Sequence, residues 1–185
     1  MRAVVVPYQP SWPERAAVLA GELRERLGPL AERVEHIGST SIPGMAAKDI
    51  LDMQVSVAGL DAAAAFAAPL AALGFESFPY CHDHIPAGRT DDPERWAKRY
   101  WRRRGPPGDV NLHVRRTGSP NERLALLFRD WFRGHPAAVP GYAKFKTELA
   151  RDVGDIDRYT DIKDCVVDVV IAVAEDWAAA TGWHL

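Results

Sequence analysis

Cysteine is scarce in this chain: 185 residues hold two, Cys81 and Cys165, too far apart in sequence to suggest a disulfide framework. Long apolar runs are missing too. Met1 to Pro10 carries one arginine and a short apolar stretch, which suits neither a secretory signal nor a membrane span. The expected location is therefore cytoplasmic, with no membrane partner. An excess of one charge sign is lacking as well. The 23 Lys and Arg face 25 Asp and Glu, for a formal charge of -2, which argues against nucleic acid as the partner. Internal repeats, heptad arrays and low-complexity linkers are absent. With 47% hydrophobic residues, this predicts one compact unit over 1–185, a sheet core to about 118 followed by a helical subdomain from about 119. Nothing in the composition fixes an oligomeric state. No Gly-Lys-Ser/Thr run is present, so a P-loop is excluded.

What is there concentrates between Val34 and Val57. Val34, His36 and Ile37 close a short extended run, and Gly38 then allows backbone angles and a close approach that a side chain would block. Ser39, Thr40 and Ser41 add hydroxyls, and Pro43 is placed to start a short helix whose free amides attract anions. Two roles stay open for these hydroxyls: capping a helix or holding phosphate. In the following strand, alternation turns Leu51, Met53, Val55 and Val57 to the core and Asp52, Gln54 and Ser56 to the other face. The odd offset of Asp49 points it away from that face, as a surface cap or a partner of Lys48.

A second alternating segment, Asp109 to Arg115, buries Leu112 and Val114 and leaves Asn111, His113 and Arg115 on the opposite side, with His113 expected beside Asp52. His113 is open to several roles: metal ligand, phosphate donor when protonated, general base, or a hydrogen-bonded strand residue. Arg95, Lys98, Arg99, Arg102, Arg103 and Arg104 form the densest positive run, interleaved with Trp96, Tyr100 and Trp101. A strand there would turn alternate arginines toward an anion, or outward into solvent. Gly105-Pro106-Pro107-Gly108 is a turn between strands.

Three helices are predicted after the sheet. Ser119-Pro120-Asn121-Glu122 is an N-cap signature, and the helix it opens reaches about Arg133 with Leu124, Leu127, Phe128 and Trp131 as its apolar stripe. Arg129 and Arg133 share a face and suit a phosphate, while Asp130 and Arg133 equally suit a surface pair. A second helix spans about 137–151, and a third spans about 159–180 with Ile162, Val166, Val169, Val170, Val173 and Trp177 inward. Earlier in the chain, 61–73 is alanine-rich and helical by propensity, with Pro69 expected to end or kink it and Gly74 as its stop. Phe75 to Tyr80 reads as a strand. Cys81-His82-Asp83-His84 has the residue types of a metal site, but no second Cys/His pair nearby completes one, and a loop with incidental histidines is preferred.

The run from His36 to Asp52 resembles the GrpB family (UPF0157), a branch of the nucleotidyltransferase superfamily. Leu112-His113-Val114, the stretch from Phe128 to Pro136, the spaced Tyr142, Lys146, Leu149 and Ala150, and Tyr159-Thr160-Asp161 with Lys163 extend the match from about Tyr8 to Trp177. The resemblance implies an α/β (α+β) fold, a nucleotidyltransferase-type mixed β-sheet flanked by helices with a C-terminal helical subdomain. It further implies that Gly38, Ser39, Thr40, Lys48, Arg129, Lys146 and Lys163 bind the phosphates of a nucleotide. Asp52, Gln54 and His113 would hold Mg2+ or Mn2+, and Asp52 and His113 would be catalytic. Gln54 stands where the superfamily has a second carboxylate, and His113 or Asn111 where it has a third. The expected ligand is a nucleoside triphosphate or related phosphorylated small molecule. The two expected outcomes are transfer of a nucleotidyl group to a small acceptor, or a non-catalytic nucleotide-binding module with a degraded metal site.

Overall fold

Alternation in the apolar residues of the strands builds a sheet with one dry face and one polar face. The computed structural model describes residues 3–185, without the side chains of 62–64, so Met1 and Arg2 of the opening segment lie outside the described residues. Among these residues the strands β1 (Arg33–Ile37), β2 (Leu51–Val57), β3 (Glu76–Phe78), β4 (Lys98–Arg103) and β5 (Val110–Arg116) form one sheet of order β1-β2-β5-β4-β3. β2 and β5 run parallel, and all other neighbours are antiparallel. This mixed sheet flanked by helices, followed by a helical subdomain, is the expected fold class.

One face is covered by α1 (Ser11–Leu27) and α2 (Ala63–Ala72). Trp12, Ala16, Leu19, Ala20, Leu23 and Leu27 recur at helical spacing, and all are buried against Val34, Leu51, Met53, Val55 and Leu112. This helix is additional to those expected from the sequence, although its apolar period is present there. Pro69 neither ends nor breaks α2, which continues to Ala72. The proline removes a single backbone donor, and burial of Phe66 and Leu70 on either side holds the helix in place. Gly74 does stop it: at φ +79 its amide returns to Ala71 O, and the amide of Phe75 bonds Leu70 O.

On the second face α3 (Pro120–Gly134) packs against β1 and β5, α5 (Ile156–Thr181) packs on α3, and α4 (Val139–Asp152) packs on α5. Their common core holds Leu124, Leu127, Phe128, Phe132, Tyr142, Ile171 and Ala174. Ser119 caps α3 as expected, accepting from the amide of Glu122, while the Glu122 carboxylate accepts from Gly118 N at 2.7 Å. On α5 the expected stripe is displaced. Val169 and Val173 are 64% and 50% exposed, and Ile171, Ala174 and Ala178 are buried in their stead, because the small Ala174 and Ala178 admit close packing on α3. Among the described residues no helix is long and apolar enough to cross a membrane.

Candidate anion-binding site on the polar sheet face

Pairing across the sheet arranges the polar face in rows. Ile37, Asp52, Asn111, Arg102 and Glu76 lie in register from β1 to β3, and Glu35, Gln54, His113, Tyr100 and Phe78 form the next row. His113 is therefore opposite Gln54, and Asn111 takes the expected place beside Asp52. Its Nδ2 donates to Asp52 Oδ1 at 2.8 Å, and its own Oδ1 accepts from Arg104 at 2.9 Å.

The Gly38 turn meets Asp52 directly. Gly38 has φ 67 and ψ -170, a conformation almost reserved for glycine, and a Cβ there would lie 2.5 Å from Asp52 Oδ2. Ser39–Ser41 form a short 3-10 turn, so the expected helix begins earlier than Pro43 and is a single turn. Ser41 Oγ donates to Gly38 O at 2.6 Å, and the buried Thr40 hydroxyl bonds His36 Nε2 at 2.8 Å. Thr40 thus supports the turn from inside and does not face a phosphate.

Ser39 is the turn hydroxyl that faces the lysines. Lys146 of α4, only 2% exposed, donates to Ser39 Oγ at 2.7 Å and to Ala46 O at 2.6 Å, with its ammonium 5.1 Å from the Tyr142 ring centroid. Lys48 lies 5.7 Å from the ring centroid of Tyr159 on α5. Lys163, also on α5, donates to Asp164. Among the described residues no carboxylate pairs with Lys48 or Lys146. Burial, then repulsion from Lys163 and Lys48, lowers Lys146 to about 7 against the attraction of Asp52. Lys48 is also lowered, by burial and by Lys163, Arg104 and Arg102, with Asp52 opposing. Cations from β2's approach, β4, α4 and α5 thus converge around one carboxylate.

The expected metal shell does not fit a dication. The buried Gln54 accepts from Arg115 at 2.5 Å through Oε1 and donates to Glu122 O through Nε2. His113 Nδ1 accepts from the same guanidinium at 3.2 Å, which puts its proton on Nε2. Burial, then Arg115 and Lys98, push His113 well below its ordinary value, so it is a neutral Nε2–H donor, neither a charged phosphate donor nor a free base. Two of the three expected ligands thus already serve an arginine, leaving Asp52 alone. Among the described residues no group of three metal-ligating side chains is gathered elsewhere.

Arg115 is held in turn by Asp83, which lies in the loop expected to carry only incidental histidines. Asp83 accepts from Arg115 at 2.8 Å, Lys98 at 2.6 Å and Asn121 at 2.9 Å. Burial pushes its carboxyl up, but Arg115 and Lys98 outweigh this and keep it well below the usual carboxylate range. Its flanking histidines are on the surface, His82 against Cys81 and Glu94, and His84 against Asp168. Short-range sequence gave no sign of this hub, because its partners come from β4, β5 and α3.

Three other residues hold elements together. Arg129 does not reach the lysine cluster: it pairs with Glu35 at 2.6 Å and Asp130 at 2.7 Å, clamping α3 to β1. Arg133 donates to Ser41 O at 2.8 Å, holding the turn from behind, and lies 3.9 Å from Asp130 in the expected surface pair. Asp49 pairs with Arg15 at 2.9 Å and accepts from Trp12 Nε1 at 2.8 Å, tying down α1, and does not pair with Lys48. The basic run divides as alternation requires: Lys98 and Arg102 face the polar side, while Arg103 donates to Leu73 O on the other. The concavities of about 210 Å3 (between α3, α4 and α5) and about 500 Å3 (Arg15, Asp49 and the 105–109 loop) do not hold the lysines.

A family model described as GrpB protein matches residues 2–172. A protein named dephospho-CoA kinase from Mycolicibacterium paratuberculosis is 36% identical over 193 residues, covering 97% of this chain and 47% of that protein. A UPF0157 protein from Halalkalibacterium halodurans is 30% identical over 168 residues, covering 90% of this chain and 80% of that protein. The crystal structure of the conserved protein GrpB from Enterococcus faecalis aligns with a TM-score of 0.76 at 30% identity, covering 94% of this chain and 99% of the other. The chain spans about half the length of the dephospho-CoA kinase relatives it matches.

Proposed function

The chain belongs to the GrpB family, and from that premise we propose that its polar sheet face binds a nucleotide or related phosphorylated small molecule without a divalent metal. The observation that carries this reading is Lys146: an almost fully buried amine with Ser39 Oγ and Ala46 O as hydrogen-bond partners and other lysines as neighbours. Burying an amine without a counter-charge is costly. A site that keeps buried Lys146 beside half-buried Lys48, neither paired with a carboxylate among the described residues, is suited to an incoming anion that supplies the missing charge. Lys146, Lys48 and Lys163 hold the phosphates, and Ser39 adds a hydroxyl at the turn. Arg102 and Arg104 extend the positive field along β4. Asp52 keeps Asn111 and the Gly38 turn in position and moderates the repulsion among the lysines.

Nucleotidyl transfer is the second reading, favoured by the direct packing of the Gly38 turn on the Asp52 carboxylate. Against it stands the engagement of Gln54 and His113 by Arg115. The name of the longer relatives brings dephospho-CoA, a phosphorylated adenosine compound, into the ligand screen. P-loop phosphoryl transfer is not proposed, since the chain lacks that motif. The site is proposed to be cytoplasmic.

The two readings separate in a titration of ATP, GTP, CTP, UTP and dephospho-CoA, with and without Mg2+ or Mn2+, against the native protein and Asp52→Ala. The binder retains affinity for at least one ligand without metal and largely keeps it in Asp52→Ala. Affinity that requires metal and vanishes in Asp52→Ala would instead establish the transferase reading and call for an acceptor screen read by pyrophosphate release.

A further inference from the structure

Beside the lysine cluster, the polar face changes from charge to rings. Arg102 lies in the row of Asp52, across β5, and its guanidinium carbon is 4.4 Å from the ring centroid of Phe78, 5.3 Å from Tyr80 and 5.2 Å from Tyr100. Its Nε donates to Tyr100 Oη at 3.3 Å, and among the described residues no carboxylate pairs with it. Tyr80 and Tyr100 are 5.8 Å apart between centroids, and Tyr100 lies 5.0 Å from His113, so rings continue from the sheet edge into the middle of the face. Tyr100 is buried, whereas Tyr80 is 52% exposed, among the most exposed large hydrophobic side chains described.

We propose that Tyr80, Phe78 and Tyr100, with the Arg102 guanidinium between them, form a stacking subsite for a nucleobase whose phosphates rest on Lys48, Lys146 and Lys163. This rests on the anion-binding reading above and narrows its ligand to a nucleoside phosphate. Adjacent strands are about 4.8 Å apart, so Arg102 on β4 lies roughly 10 Å from the Asp52 strand and the rings of β3 a further strand away. That separation suits a nucleoside laid across β5 with its phosphates at the Gly38 turn. The planar guanidinium and the exposed ring of Tyr80 hold any base by stacking, with Phe78 and the buried Tyr100 backing them. The base edges meet few readers, since Asn111 is already shared by Asp52 and Arg104, and Gln54 by Arg115 and Glu122 O. Purines, with the larger ring, are therefore favoured over pyrimidines, with little distinction between adenine and guanine.

The test compares ATP, UTP and inorganic tripolyphosphate on the native protein, Tyr80→Ala and Tyr80→Trp. Tyr80 is 52% exposed, and the unfolding midpoint of each variant, expected to match native, separates lost stacking from a folding defect. The expected result is that Tyr80→Ala weakens ATP by about tenfold, the size of one lost stacking contact, leaves tripolyphosphate unchanged, and that Tyr80→Trp restores or tightens ATP. If ATP binds no tighter than tripolyphosphate and Tyr80→Ala changes neither, the subsite is overturned while the anion site stands. If neither ligand binds the native protein, the anion reading fails and the subsite with it.

Discussion

Lys146 is the residue on which the account turns. Its pKa near 7 in the free protein means that a phosphate, which favours the charged amine, raises that value on binding. The affinity gained from Lys146 is complete below pH 7 and declines as pH rises through 7 toward the bound-state value, by at most about tenfold per pH unit. His36, lowered to about 4, and His113, held well below its ordinary value by burial, do not titrate in that window. Lys146→Met removes this dependence; affinity measured from pH 6.5 to 9 on both proteins checks it. Gly38 makes a second prediction at this scale. Gly38→Ala incurs roughly 1–3 kcal/mol of backbone strain before the contact with Asp52 is counted, and denaturant unfolding should register a loss at least that large. These two residues were legible in the chain, the glycine from its turn and the lysine from family resemblance. Gln54 was not: alternation assigns a side chain to a face, but its partner Arg115 lies on a strand brought alongside only by the fold.

At the scale of elements, the helical layer is bound to the sheet through charge. Asp83 gathers Lys98 of β4, Arg115 of β5 and Asn121 of α3, and Arg129 and Arg133 fix α3 to β1 and to the Gly38 turn. Removing one partner of such a set leaves buried charge uncompensated. Asp83→Asn is expected to lower the unfolding free energy by about 3–5 kcal/mol, measured by urea denaturation at pH 7. Because the Asp83 carboxyl is depressed in the folded protein, its contribution is full above the ordinary carboxylate pKa and is lost only as pH falls below about 4. The strands, the α3 cap and the Gly74 stop were legible because each depends on neighbours within a few residues. The α5 stripe was misread at Val169 and Val173 because several valines fit a helical period equally well, and the packing of Ala174 and Ala178 on α3 selects among them.

At the scale of the molecule, a positive site sits in a chain whose net charge is -2. The lysines gather from three separate segments, a local concentration that composition conceals. Nucleotide affinity should therefore fall as salt is raised from 50 to 500 mM by about an order of magnitude, through screening of the exposed part of the cluster. A single-stranded oligonucleotide should not compete with ATP, since the net charge offers no extended track for a polyanion. Fluorescence anisotropy with a labelled nucleotide reads both effects.

The most direct measurement is calorimetric titration of ATP into the native protein and Lys146→Met at pH 7, in chelator and without divalent metal. Saturable binding to the native protein is expected, with at least a tenfold loss in a variant whose unfolding free energy stays within about 1 kcal/mol of native, since relief of lysine repulsion offsets the lost bonds to Ser39 and Ala46. Equal binding by both proteins, or binding that emerges only when Mg2+ is restored, would contradict this.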